Sequence, residues 1–430
     1  MIGLSLNNMA IITNNIKRYI RNFSWLVLAE SAIKGASFVV VILIARELGQ
    51  EQLGIYSSLM SLVFIFAVVA DFGMSSIITR NLARDKKDLA SYLSNGFGVK
   101  IILGILASLL VLFTGWMLGK TGELLVFLAM ASFWMITDSL TLLFAAVFKA
   151  FENMHLIAIV NFVSKLFLIA GIGVLALGGW EFSLKGVFLV YIFSGLLGLF
   201  GAAYIASKRY GKFKLSFNPL FSKGLLKESY FLGLSALCFA VYNRVDVLML
   251  STMQSDEAAG IYSACYALFI LAGLLPTLAV SAVFPSFSRD YITVRRKLHW
   301  NYIKGMKILL LFAIAIVTGT YIIGEWLLGF LYGSGYAEAV PALRILMLSI
   351  VFTFPASLIS GLLVISGHQK WVFWSSVMMV LVNVVLNLIL IPAHSYMGAS
   401  IAMLATGAFN LAILYVIVRK SIKWDEKAIV

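Results

Sequence analysis

Twelve stretches of this chain, each about 20 residues or longer, are dominated by apolar side chains, and about 20 residues is what a helix needs to cross the hydrocarbon core of a bilayer. The stretches run over 23–45, 54–78, 97–118, 124–148, 155–178, 184–206, 225–250, 258–284, 304–331, 341–365, 372–392 and 396–418. In lipid, only helices and closed barrels satisfy their own backbone. Runs this long and this apolar exclude the ten-residue alternating strands of a barrel. The sequence therefore predicts an all-α membrane protein of about twelve transmembrane helices. Composition agrees: 61% of residues are hydrophobic and 12% are charged, too little charge to keep a soluble surface of this length in water.

The net charge of +14 suggests a polyanion or a membrane surface until the bases are located. With the N-terminus inside, inside segments hold 26 Lys and Arg, outside loops hold three (Arg46, Lys120, Lys185), and four (Lys34, Lys165, Arg244, Arg344) lie within spans. That asymmetry follows the positive-inside rule. It predicts cytoplasmic termini and makes the basic balance a topology signal; no nucleic-acid partner is expected. The longest loops, near 207–224 and 285–303, also face inside. They leave no room for a nucleotide-binding domain, and no GxxxxGK[ST] occurs, which disfavours an ATP-driven pump. Cys238 and Cys265 form no CxxC pair, and the histidines at 155, 299, 368 and 394 are scattered. No metal site or disulfide framework is expected.

The two halves repeat. Gly54-Ile55-Tyr56-Ser57 opens the second span and Gly260-Ile261-Tyr262-Ser263 opens the eighth; Gly98-Val99-Lys100-Ile101 corresponds to Gly305-Met306-Lys307-Ile308. An even number of spans per repeat keeps both halves parallel, with the pseudo-twofold axis along the membrane normal. The expected organisation is an N-terminal tail (1–22), a six-helix bundle (23–206), a cytoplasmic linker (207–224), a second six-helix bundle (225–418) and a C-terminal tail (419–430), with a central cavity between the bundles.

Residues 43–57 (LIARELGQEQLGIYS) and 71–84 (DFGMSSIITRNLAR), with PASLISGLLVISGHQK at 355–370 and YMGASIAMLAT at 396–406, resemble the polysaccharide transporter family of the multidrug/oligosaccharidyl-lipid/polysaccharide flippase superfamily. O-antigen flippases belong to that family. The resemblance covers essentially the whole chain through loose, mainly structural motifs, so it implies a family and not a sugar. Within them, Gly49 and Gly54 suit a tight outer turn, Arg46 suits snorkelling to outer headgroups, and Arg80 and Arg84 suit the inner end of the second span. Trp25, Trp116, Trp180, Trp326, Trp371 and Trp374, near span ends, suit an aromatic belt.

Ionisable groups in mid-membrane cost about 2.5–3.5 kcal/mol each on insertion scales, so each is a functional candidate. Glu30 and Lys34 share one face of the first span and can pair. Asp138 and Trp134 share a face of the fourth, Lys165 and Asn161 a face of the fifth. Arg244 and Asp246 are about 200° apart around the seventh, so one is expected to face the opposite half and the other its own bundle. Asn383 and Asn387 form a same-face pair suited to interhelical hydrogen bonds.

The resemblance implies an undecaprenyl-pyrophosphate-linked oligosaccharide as substrate, moved from the inner to the outer leaflet by alternating access. Lys34, Lys165 and Arg244 are the expected phosphate partners; Glu30, Asp138, Trp134 and Asn161 complete the candidate cavity; Asp71 and Asp246 are candidates for a coupling proton or sodium ion. No cofactor and no catalysis are expected. The expected location is the bacterial inner membrane, among membrane lipids and other polysaccharide-assembly membrane proteins. Two alternatives stand beside this reading. One is an ion-coupled multidrug or organic-cation exporter of the same superfamily, whose pocket should be rich in acids. The other is a membrane-embedded polysaccharide polymerase or ligase, which would need a larger outer loop.

Overall fold

The protein, seen in a computed structural model, is described over residues 2–178, 181–211, 218–277, 279–280, 287 and 295–422. Trp180, part of the linker, part of the eighth span and the C-terminal tail from 423 lie outside these residues. Among the described residues the chain is helical throughout, with no strand. In order come α1 (Ile2–Asp71), α2 (Met74–Arg84), α3 (Leu89–Met117), α4 (Glu123–Ala150), α5 (Met154–Leu177), α6 (Leu184–Tyr210), α7 (Pro219–Met253) and α8 (Asp256–Ala272). Then follow α9 (Arg295–Tyr332), α10 (Val340–Leu348), α11 (Ile350–Ile365) and α12 (Gln369–Ser421).

Ten stretches of the described residues are long and apolar enough to span a membrane. Two of them each hold two crossings joined at a break inside one long helix. In α1 the break is Gly49 (φ 80°, ψ −173°), a backbone conformation that glycine adopts without steric cost. In α12 it is Ser395 (φ 49°, ψ −133°), three residues after Pro392, whose missing N–H already weakens the helix. Dividing both gives the twelve crossings read from the sequence. The segment expected as the N-terminal tail is helical from Ile2 and continuous with α1.

Local signals set the helix starts. Asn218 accepts from the amides of Leu220 and Phe221 ahead of Pro219 at the first turn of α7. Ser255 accepts from the Ala258 amide, and Asp256 and Glu257 occupy the first turn of α8. Both are favourable N-termini, the first by capping and the second by capping and dipole. Large apolar side chains that remain exposed, among them Phe162, Phe200, Leu311 and Ile322, face outward, where lipid would cover them. Trp116, Trp326, Trp371 and Trp374 are exposed as well.

α1–α6 form one bundle and α7–α12 the other; the seam between them is formed mainly by α1 and α2 against α7 and α8, with α8 packed more heavily on α1 than on its own bundle. At the end assigned to the outside, the repeated Gly54 and Gly260 meet in this seam. Gly54 is therefore a point of close helix approach rather than part of the turn, which Gly49 makes alone. Beside it the Arg46 side chain donates to the carbonyls of Leu331 (2.7 Å) and Phe330 at the end of α9. The expected snorkelling arginine thus satisfies carbonyls that a helix C-terminus leaves unpaired. Gln50 Nε2 donates to the Gly335 carbonyl at 2.6 Å, and Lys120 Nζ lies 3.2 Å from Asp256 Oδ1. At the other end Arg80 pairs with Glu228 at 2.7 Å.

Candidate functional site

Three adjoining cavities run from the first bundle across the seam into the second. The central one, about 230 Å³, is lined by Lys34 and Ser37 of α1, Tyr56, Met60 and Phe64 after the Gly49 break, Arg244 of α7 and Tyr266 of α8. A chamber of about 180 Å³ opens into the first bundle and is lined by Glu30, Trp134, Asp138, Asn161 and Lys165. A third, about 450 Å³, extends into the second bundle past Phe239, Tyr242, Asn243, Phe269 and Phe354. Phe64 borders all three; Lys34 and Arg244 border the central and third; Tyr191 borders the central cavity and the first-bundle chamber.

Aromatic rings separate the central cavity from the first-bundle chamber. Trp134 meets Phe64 edge-on at 5.8 Å between centroids and Tyr191 edge-on at 5.3 Å. The hydroxyls of Tyr191 and Tyr56 are 2.6 Å apart. One cation lies on each side of this partition. Lys165 Nζ sits 5.6 Å from the Trp134 ring centroid, and the Arg244 guanidinium sits 4.4 Å from that of Phe64. Both are cation–π distances, which attract but do not neutralise.

The charges are unevenly distributed. Among the described residues, the central cavity is bordered by two bases, Lys34 and Arg244, and by no acid. The first-bundle chamber has two bases, Lys149 and Lys165, and two acids, Glu30 and Asp138. Glu30 and Lys34 share a helix face, yet they form no ion pair among the described residues. The Glu30 charge still acts on the Lys34 ammonium from one turn away.

The two remaining candidate acids lie outside the cavities. Asp71 is held by Lys100 Nζ at 2.5 Å and by the Ser75 hydroxyl. Lys100 is completely buried and also donates to the Ser139 carbonyl at 2.7 Å. Lys100, one of the 26 bases ascribed above to inside segments, belongs to a span. It lies within the 97–118 run, and its acid stands in the preceding span. The helix breaks just after Asp71, at Phe72 and Gly73 (φ 43° and 74°), and this pair braces the break. Asp246 is 3% exposed. It accepts from Tyr262 at 2.8 Å and from Asn387 Nδ2 at 2.6 Å, and Asn387 in turn contacts Asn383 at 3.1 Å. Arg244 and Asp246 thus point apart, the first into the cavity and the second into its own bundle. Arg344 packs its guanidinium 5.3 Å from the Tyr321 ring, away from the cavities.

The sequence did not single out Phe64, Tyr56 or Tyr191 for this partition, although Tyr56 stands in the repeated Gly-Ile-Tyr-Ser. Apolar spans contain many aromatics, and only packing distinguishes a cavity wall from a lipid-facing ring.

A family model described as polysaccharide biosynthesis protein matches residues 19–290. The probable low-salt glycan biosynthesis flippase of Haloferax volcanii is 22% identical over 400 residues, which is 89% of this chain and 82% of that protein. Among solved structures, a multidrug resistance MATE family transporter of the MOP superfamily in its inward-facing conformation matches with a TM-score of 0.77 and 15% identity, over 90% of this chain and 93% of that one. The lipid II flippase MurJ in an inward closed conformation matches with a TM-score of 0.76 and 17% identity, over 92% and 87%. At these identities the solved structures speak for a shared two-lobed fold.

Proposed function

The chain belongs to the polysaccharide biosynthesis protein family, and from that premise we propose that it is a flippase for a lipid-linked oligosaccharide, an undecaprenyl-pyrophosphate-linked repeat unit or a close relative. The observation that carries this reading is the central cavity with Lys34 and Arg244 and no bordering acid. Two unpaired bases in low dielectric are unfavourable alone and favourable around a phosphate group. The glycan flippase of Haloferax volcanii among the relatives supports the same class of substrate.

In this reading residues 23–206 and 225–418 rock as two bodies about the seam. The headgroup crosses through the cavity while the prenyl tail stays in lipid. The termini are cytoplasmic and the membrane is the bacterial inner membrane. The chemistry is transport, not catalysis. Asp246, a buried acid held only by neutral donors, is the candidate site for a coupling proton or sodium ion; Asp71 is already matched by Lys100. The exporter reading draws on Glu30 and Asp138 in the first-bundle chamber, but the bases on that chamber balance them.

The test is complementation of a strain lacking its own flippase. Lys34→Ala and Arg244→Ala are expected to abolish surface polysaccharide with normal amounts of protein in the membrane. Full polysaccharide display by the double variant would remove the anionic-headgroup mechanism and favour the exporter.

A further inference from the structure

The aromatic partition divides the cavity into two compartments of different chemistry. On the central side stand Lys34 and Arg244 with no acid. On the far side stand Glu30, Asp138, Lys149 and Lys165, whose formal charges cancel, together with the Asn161 amide. Asp138 and Asn161 donate or accept no side-chain hydrogen bond among the described residues, whereas the chamber's hydroxyls are already used: Thr141 donates to the Thr137 carbonyl at 2.8 Å, Ser164 to that of Asn161 at 3.1 Å and Ser194 to that of Ser164 at 2.7 Å. The unused polar groups are therefore two carboxylates (Glu30 and Asp138), the Asn161 amide and two ammonium groups (Lys149 and Lys165).

That set discriminates between the two parts of a phosphate-linked glycan. A carboxylate accepts hydrogen bonds from sugar hydroxyls, while a phosphate diester has no proton to offer and is repelled by it. A compartment with two bases and no acid does the reverse. We infer that the two compartments divide the substrate, the phosphates lying with Lys34 and Arg244 and the first sugar, an uncharged hydroxyl-rich ring, lying in the Glu30–Asp138–Asn161–Lys165 chamber beyond Trp134. This rests on the flippase reading and deepens it. It also reassigns Lys165, which sits behind the Trp134 ring from Arg244, from phosphate ligand to sugar ligand. Glu30 and Asp138 become determinants of which lipid-linked headgroup is accepted.

The experiment uses the full chain in lipid nanodiscs and two synthetic probes, a short-chain polyprenyl pyrophosphate and the same lipid carrying one neutral hexose on the pyrophosphate. The unsubstituted protein is expected to bind the sugar-bearing probe roughly tenfold more tightly, a gain of a few net hydrogen bonds. Asp138→Asn, which is near-isosteric, and Lys165→Gln, which removes the charge and keeps a polar end, should erase that gain, leaving the two probes bound alike. The double variant Lys34→Ala, Arg244→Ala should weaken both probes by the same factor. Equal weakening of both probes by Asp138→Asn or Lys165→Gln would overturn the division of labour, as would a sugar-bearing probe that binds no better than the bare lipid. In the second case the bare lipid still bound through Lys34 and Arg244 would leave the flippase reading standing. Binding of neither probe would sink both.

Discussion

Gly54 and Gly260 face each other across the seam, each carrying the backbone of the opposite bundle where a side chain would be. A Cβ on Gly54 would stand 1.6 Å from the Asp256 carbonyl oxygen, and one on Gly260 would stand 1.9 Å from that of Gln50. The two contacts are images of one another under the repeat. Small residues let helix backbones approach in a membrane, and this approach lies within a turn of Tyr56, Ser57 and Ser263 of the central cavity; we expect it to form the cavity's closure on that side.

A side chain at either position should therefore prevent closure. In a background with Cys238 and Cys265 replaced, Met60→Cys places a reporter on the central cavity. Adding Gly54→Leu should make that cysteine reactive toward a membrane-impermeant thiol reagent from outside intact cells. The Gly54 parent should stay protected. Equal labelling in both would show that this crossing does not close the cavity.

The Lys100–Asp71 pair should behave as a structural element. Breaking a buried pair by removing one partner costs about 3–5 kcal/mol, whereas replacing both with apolar groups is often neutral. Lys100→Ala should lower thermal stability in detergent markedly, and Lys100→Met combined with Asp71→Leu should recover most of the loss. A double variant as unstable as the single one would mean that the ammonium is needed by Ser139 and Ser75 rather than by the acid.

The crossings, the all-helical build of the described residues and the repeat were legible because lipid leaves a chain few choices. Every span must be long, apolar and helical, and a duplicated unit keeps its glycines where helices touch. Charged candidates were legible for the same reason, since each is costly enough to stand out. Their partners were not. Asp71 found Lys100 from another helix, and Arg46 found the end of α9 some 285 residues away. Glu30 and Lys34, neighbours on one face, did not pair. Helical spacing gives a residue's direction and says nothing of what the fold puts opposite it.

Orientation can be read at Lys223, exposed near the start of α7. A Lys223→Cys reporter in the cysteine-replaced background should be silent to an impermeant reagent in intact cells and labelled after permeabilisation. Labelling from outside would invert the topology.

Asp246→Asn keeps a group able to accept from Tyr262 and removes the ionisable carboxylate. Transport by this variant should proceed at a rate indifferent to an imposed proton or sodium gradient, with the unsubstituted protein responding to one of them. A gradient response that survives Asp246→Asn would place coupling elsewhere.

The most direct measurement is headgroup translocation in proteoliposomes. A fluorescent short-chain lipid-pyrophosphate-saccharide is supplied on one leaflet, and its appearance on the other is followed with a membrane-impermeant quencher. The protein should accelerate crossing over empty liposomes, and Lys34→Ala combined with Arg244→Ala should return the rate to that of empty liposomes while leaving reconstitution efficiency unchanged. Crossing at the full rate in that double variant would contradict an anionic headgroup carried between these two bases.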